Sequence, residues 1–387
     1  MCSVFSWFNS YCGPRTFSNS LEAQLTVIAL YYWDIDLSKK LQNTRAARRR
    51  RLVAMVLSSL SVIIRPTALI FWCPVVLMHL YSLGSFREAV RVVFLEMAPV
   101  ASVVLGLSTA ADSIYFGEFT LVPLNFVYHN ILHSVAEIYG THSFWWYFTQ
   151  GFPLMLGSFV PLFVCALALP FVTKGPKSAF PRAYGLIVLW NLLVYSALSH
   201  KEFRFVYPAL YVALLVCGEP LQRLWGKARP LAVLLLGAQV PFMLFFGLHF
   251  QRAPIDVMAR LRGEMRAGMR VEFLTPCHST PFWAYMHERG RSAPSVQMGF
   301  LDCSPQPAGV LDEAEIFKAD PLDFVRKRYG AAGSNETHPL PTHIVAFSWH
   351  ADKMQPFFDE NGYRECGSYP HNTFEGTTMN LYCKQDN

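Results

Sequence analysis

Apolar residues fill the first 250 positions in blocks separated by short polar stretches, and block length decides what each can become. A bilayer core takes about 20 apolar residues per helix. Phe152–Val172 and Leu231–Phe250 reach that length without a charge, and Val92–Ala110 comes close with one, Glu96. Thr67–Leu83 and Ala183–Leu198 are slightly shorter, while Ser20–Trp33, Leu52–Ile64 and Phe205–Cys217 are shorter again. The short ones predict helices that tilt little or sit inside a bundle. The pattern therefore predicts about eight crossings and a polytopic α-helical membrane protein over residues 1–250. Leu52–Leu83 crosses twice only if the chain turns at Arg65-Pro66, where proline breaks the helix.

After position 250 the pattern changes. An amphipathic helix is expected over Pro254–Met269, with strands over Val271–Thr275 and His343–Trp349. A second helix follows over Asp352–Asn361, then strands over Tyr363–Tyr369 and Met379–Lys384; Pro294–Pro307 and Gly330–Pro341 read as loops. This predicts a small α/β domain over 251–387.

Composition supports the membrane reading. Hydrophobic residues make up 52% and charged residues 16% of the 387, and mean hydropathy is +0.25, far from the composition of a disordered chain. A net charge of +6, without a basic motif interleaved with aromatics, gives no sign of nucleic-acid binding. No phosphate-binding glycine loop, dinucleotide fingerprint or serine-nucleophile elbow occurs.

Charge also orients the segments, because Lys and Arg accumulate on the cytoplasmic side. Lys39–Arg51 holds seven basic residues, including Arg48-Arg49-Arg50-Arg51, whereas Asp112–Gly151 has no Lys or Arg. The loops 112–151 and 199–204, the Arg65 turn, Met1–Asn19 and the whole tail are then expected in the lumen. The first crossing would run from lumen to cytoplasm with no signal peptide before it, which fits an N-terminally incomplete chain. Two features of the tail agree with a lumenal setting. Asn335-Glu336-Thr337 is a glycosylation sequon, and Cys277, Cys303, Cys366 and Cys383 could form disulfides there. Four cysteines allow three full pairings, and spacing does not choose among them.

The chemistry concentrates at Ser199-His200-Lys201-Glu202-Phe203-Arg204-Phe205. Four ionisable residues between apolar segments are costly unless they pair or bind something. An interfacial loop bridged by Glu202 would satisfy the pattern. So would an anion site in which Lys201 and Arg204 hold a phosphate and Glu202 orients them. Arg65 either snorkels or completes such a clamp, and Arg15 is a weaker candidate. Asp112–Gln150 brings Asp112, Glu118, Asn125, His129, Asn130, His133, Glu137 and His142 together with Trp145-Trp146-Tyr147 and Gln150. Aromatics here form either an interfacial belt or, beside Asn, Gln and His, a surface for a sugar. His129 and His133 lack a carboxylate ligand, so no metal is expected. Ser18–Glu22 reads as a capped helix start, with Glu22 complementing the helix dipole or serving as a functional acid.

The run His200-Lys201-Glu202-Phe203-Arg204-Phe205-Val206-Tyr207-Pro208 resembles the His-Lys-Glu-x-Arg-Phe signature of the endoplasmic-reticulum mannosyltransferases that use dolichyl-phosphate mannose, a GT-C family of the GT22 type. The likeness extends through Arg65-Pro66-Thr67, Tyr115-Phe116-Gly117, Asn125-Phe126, Tyr139–His142 and Trp146-Tyr147-Phe148. Tyr147–Gly157, Pro276–Pro281, Leu311–Ala314 and Leu340–His343 resemble the branch that acts in GPI-anchor assembly more than its N-glycan siblings.

The resemblance implies a multi-pass enzyme of the endoplasmic-reticulum membrane with a lumenal C-terminal domain. It would add the third mannose, in α-1,2 linkage, to a lipid-linked GPI intermediate by inverting displacement. His200, Lys201, Arg204 and Arg65 would bind the donor phosphate, with Glu202 in support. Asn125, His142, Trp146, Tyr147 and Gln150 would contact sugar or acceptor. Beyond the two lipid substrates and membrane lipid it implies no cofactor, metal or nucleic-acid partner. The family's acidic motif in its first lumenal loop has no counterpart here, so the catalytic base stays unassigned. A sibling transferase of the N-glycan pathway and a catalytically inactive shortened form are the alternatives.

Overall fold

The computed structural model describes residues 1–33, 44–132, 140–172, 179–286, 296–304, 310–330 and 338–385. Two compact units divide the chain, Met1–Leu244 and Phe245–Asn387.

Each apolar block of the first unit is helical. The elements are α1 (Cys2–Phe5), α2 (Trp7–Cys12), α3 (Ser18–Tyr32), α4 (Arg45–Ile64) and α5 (Ala68–Ser82). They continue with α6 (Phe86–Phe116), α7 (Val122–Val127), α8 (Tyr147–Ala168) and α9 (Ala179–Ser196). The last are α10 (Phe203–Lys227), α11 (Arg229–Gly237) and α12 (Gln239–Leu244). Among the described residues four helical stretches are long and apolar enough to cross a membrane: Phe86–Phe116, Tyr147–Ala168, Phe203–Lys227 and Arg229–Gly263. Ala68–Ser82 and Ala183–Ser196 are shorter apolar helices.

The break at Arg65-Pro66 is where the pattern put it. α4 stops at Ile64, and Arg65 is extended (φ −145°, ψ 107°), as a residue preceding proline prefers to be. α3 packs along α4 and α10, α4 also packs on α6, and α9 joins α5 to α10.

Two local expectations need correction, and one segment holds structure that its pattern did not predict. Arg45–Arg51 is not loop but the first two turns of α4. There Arg51 Nε lies 2.8 Å from Glu96, with Arg48 Nε at 3.4 Å, so the one charge of its apolar block is paired. Met1–Asn19 carries two short helices. α1 and α2 bury Cys2, Trp7, Phe8 and Cys12 among the helices, and turns this short carry no readable periodicity. Finally, Ser18–Glu22 supplies no side-chain cap, and no acid lies in the first turn of α3.

A hydrogen-bonded node pins α2 in place. Gln239, fully buried, accepts from the Trp7 backbone N–H at 3.1 Å. Its Nε2 donates to the Leu156 carbonyl at 2.8 Å and Ser158 Oγ at 2.9 Å. Trp7 Nε1 reaches the Leu154 carbonyl at 3.0 Å. Gly157 sits at φ +56°, and a Cβ there would come within 3.1 Å of Gln239 Nε2. Glycine permits both the positive φ and the close approach.

The second unit is a five-stranded mixed sheet in the order β2-β1-β3-β5-β4. Its strands are β1 (Arg270–Leu274), β2 (Gln297–Phe300), β3 (His343–Phe347), β4 (Tyr363–Asn372) and β5 (Thr377–Lys384). β1 is parallel to β2 and β3, and β5 is antiparallel to β3 and β4. One core packs Val257, Met258 and Leu261 of α13 (Ala253–Gly263) on Val271, Phe273, Val345 and Leu381. The other packs Val325 of α15 (Pro321–Tyr329) and Met354 and Phe358 of α16 (Ser348–Glu360) on Leu274, Ile344 and Tyr382.

Here too the pattern needed adjusting. β2 lies inside the stretch read as loop, a four-residue strand whose Gly299 leaves room for the Glu272 side chain. Trp349 belongs to α16 rather than to β3, and α14 (Glu313–Ala319) and α15 are added, each capped by an aspartate, Asp312 and Asp320. The disulfides are Cys277–Cys303 and Cys366–Cys383. Asn335, His133 and Glu137 lie outside the described residues.

Candidate functional site

The loop 199–204 connects α9 to α10 and folds against the stretch 140–147 through four cross-links. The His142 N–H donates to the Ser199 carbonyl at 3.0 Å. His200 Nδ1 donates to the Gly140 carbonyl at 2.8 Å. Lys201 Nζ donates to the His142 carbonyl at 2.9 Å and to the Leu198 carbonyl. Tyr147 Oη donates to the Glu202 carbonyl at 2.8 Å. Two motifs about 60 positions apart thus form one wall. Gly140 makes the approach at φ +98°, a conformation that side chains resist.

Glu202 is the electrostatic centre. Its carboxylate lies 2.5 Å from Arg204 Nε, accepts from Arg204 NH2 at 2.9 Å, and stands 3.2 Å from His200 Nε2. His200 thus bridges the two loops, with Nδ1 on the Gly140 carbonyl and Nε2 facing Glu202. Partial burial pushes the Glu202 carboxyl up, but hydrogen bonds and charge from Arg204, then His200, outweigh it and leave the group below the usual carboxylate range. Lys201 is 3% exposed, and this burial lowers its ammonium from the ordinary lysine value. Two of its three N–H bonds go to carbonyls, so Lys201 fastens the two loops together as well as contributing charge.

These groups line a cavity of about 500 Å³, together with Phe8, Tyr11, Cys12, Phe17, His142, Trp146 and Phe203. The Trp146 ring stacks on His142 at 4.6 Å and meets Phe203 at 4.9 Å. The Arg204 guanidinium stands 5.3 Å from the Phe17 ring. Cations interleaved with flat ring faces suit a ligand that joins an anion to a sugar or a hydrocarbon.

The predicted residues divide clearly. His142, Trp146, His200, Lys201, Glu202 and Arg204 line the cavity, and Tyr147, fully buried, supports it from behind. Asn125 and Gln150 are exposed and do not line it. Arg15 folds over the Tyr11 ring, 3.6 Å from its centre.

Arg65 reaches the same loop from another side. It meets the Phe205 ring at 5.6 Å, donates to Ser18 Oγ at 3.1 Å and pairs with Glu22 at 3.1 Å. Glu22 is therefore an ion-pair partner rather than a dipole complement. Phe8, Tyr11, Cys12 and Phe17 went unpredicted. Aromatic residues close to the membrane boundary were the available signal, but nothing in their spacing ties them to residue 200.

With this geometry in hand, comparison places the chain among membrane glycosyltransferases. The Alg9-like mannosyltransferase family model matches residues 1–287, and the chain belongs to that family. It is 35% identical over 386 residues to GPI alpha-1,2-mannosyltransferase 3 of Mus musculus, a match covering 96% of this chain and 65% of that protein. Against the protein of the same name from Homo sapiens it is 34% identical over 383 residues, covering 96% and 63% respectively. Mannosyltransferase APTG1 of Arabidopsis thaliana is 32% identical over 402 residues, covering 97% and 68%. The chain thus spans a little under two thirds of the mouse and human proteins. No solved structure matches it.

Proposed function

We propose that this chain carries the donor-binding and acceptor-positioning part of a GPI α-1,2-mannosyltransferase. The enzyme would add the third mannose to a lipid-linked GPI intermediate, using dolichyl-phosphate mannose in the lumen of the endoplasmic reticulum. The observation carrying this reading is the convergence of His142–Tyr147 and His200–Arg204 on one cavity in a chain akin to enzymes of that name. On this reading the bundle crosses the membrane about eight times, the cavity opens to the lumen, and the second unit is lumenal.

The chemistry follows from charge. As the acceptor's 2-hydroxyl attacks the anomeric carbon, the bond to phosphate breaks and negative charge grows on dolichyl phosphate. Arg204, with the remaining N–H of Lys201 and the adjacent His200 ring, stabilises that charge where preorganised donors act best. Glu202 holds Arg204 and His200 in register and so cannot itself be free to take the proton. The hydroxyl proton goes to a carboxylate acting as general base, and no residue of this chain is assigned that part. Attack opposite the departing phosphate turns the β-linked donor into an α-linked product. The Trp146–His142 stack offers a face for a sugar ring.

Complementation tests the proposal. Cells lacking this transferase would receive the chain joined to the segments of the mouse relative that it does not cover, with and without Arg204→Ala. Surface GPI-anchored protein restored by the first and lost with the second supports the reading. Failure of a well-expressed first form contradicts it.

A further inference from the structure

A carboxylate buried among packed helices is costly unless it is paired. Glu22 is 1% exposed and lies on the buried face of α3 with Asn19, Ala23 and Thr26. Its ion-pair partner among the described residues is Arg65, at 3.1 Å. Arg65 occupies the extended turn between α4 and α5, is anchored a second time by Ser18 Oγ at 3.1 Å, and does not line the cavity. Its guanidinium instead lies 5.6 Å from the centre of the Phe205 ring. That ring meets the His200 imidazole at 5.6 Å and Tyr195 at 6.2 Å, while Tyr195 Oη donates to the Thr67 carbonyl at 3.5 Å. The Arg65 turn and the loop 199–205 are therefore tied twice, through a charged plane on Phe205 and through Tyr195.

We infer that Glu22 and Arg65 form a buried clamp that sets the position of the loop 199–205, with Glu22 a positioning residue for His200. Glu22 fixes the guanidinium, the guanidinium holds Phe205, and Phe205 holds His200 against Glu202. Arg65 then acts through the loop rather than by touching phosphate. This places it apart from Arg204, which faces the cavity. The inference rests on that cavity being the functional site proposed above, and its test does not depend on activity.

The test is carbethoxylation of His200 by diethyl pyrocarbonate, followed by mass spectrometry, on the full 387-residue chain in detergent. His200 is protected in the wild type, with its side chain 11% exposed. Glu22→Gln keeps the shape of the residue and removes its charge. The clamp predicts about a fivefold faster reaction at His200, the factor that about 1 kcal/mol represents, and no further gain when Arg65→Ala is added. Arg65→Lys is the second variant, should Glu22→Gln not fold. It keeps an ion pair but loses the planar cation over Phe205, and again His200 must be released. An unchanged rate in folded Glu22→Gln or Arg65→Lys, as judged by thermal melting, overturns the clamp and leaves a purely structural ion pair. Absence of mannosyl transfer by the chain completed with the segments of the mouse relative that it does not cover, with His200 still released in the variants, would sink the proposed function and leave the clamp standing.

Discussion

Replacing Glu202 by Gln is the most informative single change at the cavity. It preserves size and removes the charge that holds two partners, Arg204 at 2.5 and 2.9 Å and His200 at 3.2 Å. A hydrogen bond to a charged group contributes about 1.5–3 kcal/mol, but an exposed ion pair contributes at most about 1 kcal/mol. Glu202 is partly exposed, so about 1 kcal/mol for each of its two partners is reasonable, or about 2 kcal/mol in all. At about 1.4 kcal/mol per tenfold, kcat/KM for the donor should fall roughly 30-fold.

The pH dependence follows the same logic. A carboxyl held below its ordinary value adds stability that is fully present above the unfolded value and is lost as pH falls through the folded one. The wild-type loop should therefore loosen only in acid below about 4.5, whereas Glu202→Gln should be loose throughout and show no such acid step. The assay is radiolabelled mannose transfer in detergent-solubilised membranes near neutral pH, with thermal melting followed from pH 8 down to about 2.5, well below the ordinary carboxylate value. Transfer by Glu202→Gln equal to wild type at pH 7 would refute the argument that this carboxylate orders its two partners.

Other predictions concern architecture. Gln239→Leu removes three hydrogen bonds at the α2 node; at about 0.6 kcal/mol each in a membrane it should cost about 2 kcal/mol, seen as a lower melting temperature in detergent. His350 is buried, its ring 4.9 Å from Phe317, and burial, followed by Lys353 and Lys318, lowers it to about 4. The unfolded chain binds that proton first, so stability of the second unit is complete above the ordinary histidine value and falls as pH drops from about 6.5 toward 4. Amide exchange at β3 should accelerate across that window, and His350→Phe should flatten the change. Non-reducing peptide mapping should recover Cys277 linked to Cys303 and Cys366 linked to Cys383; any crossed pair would contradict the sheet register.

Much of the helical framework was legible because membrane helices announce themselves by length and apolarity alone. The turn at Arg65-Pro66 could be read because proline breaks a helix in any context. The loop 200–204 stood out because charge amid apolar segments demands a reason. What could not be read depends on long-range partners. Nothing local says that Glu22 faces Arg65, and helix-dipole reasoning pointed elsewhere. Lys201 was expected to spend its charge on a ligand, yet most of its donors go to the His142 and Leu198 carbonyls. Phe8 and Tyr11 reach the cavity on α2, which Gln239, more than 200 positions away, helps hold among the helices. β2 escaped because four residues around a glycine form a strand only when β1 offers an edge.

The most direct test of the central claim is transfer itself. Membranes carrying the chain, completed with the segments of the mouse relative that it does not cover, would be given labelled dolichyl-phosphate mannose and two acceptors. One is a GPI intermediate bearing two mannoses and the other a lipid-linked N-glycan precursor. The account predicts an α-1,2-linked third mannose on the GPI acceptor, abolished by Arg204→Ala. Mannose appearing on the N-glycan precursor instead, or on neither acceptor from a well-folded protein, would contradict it.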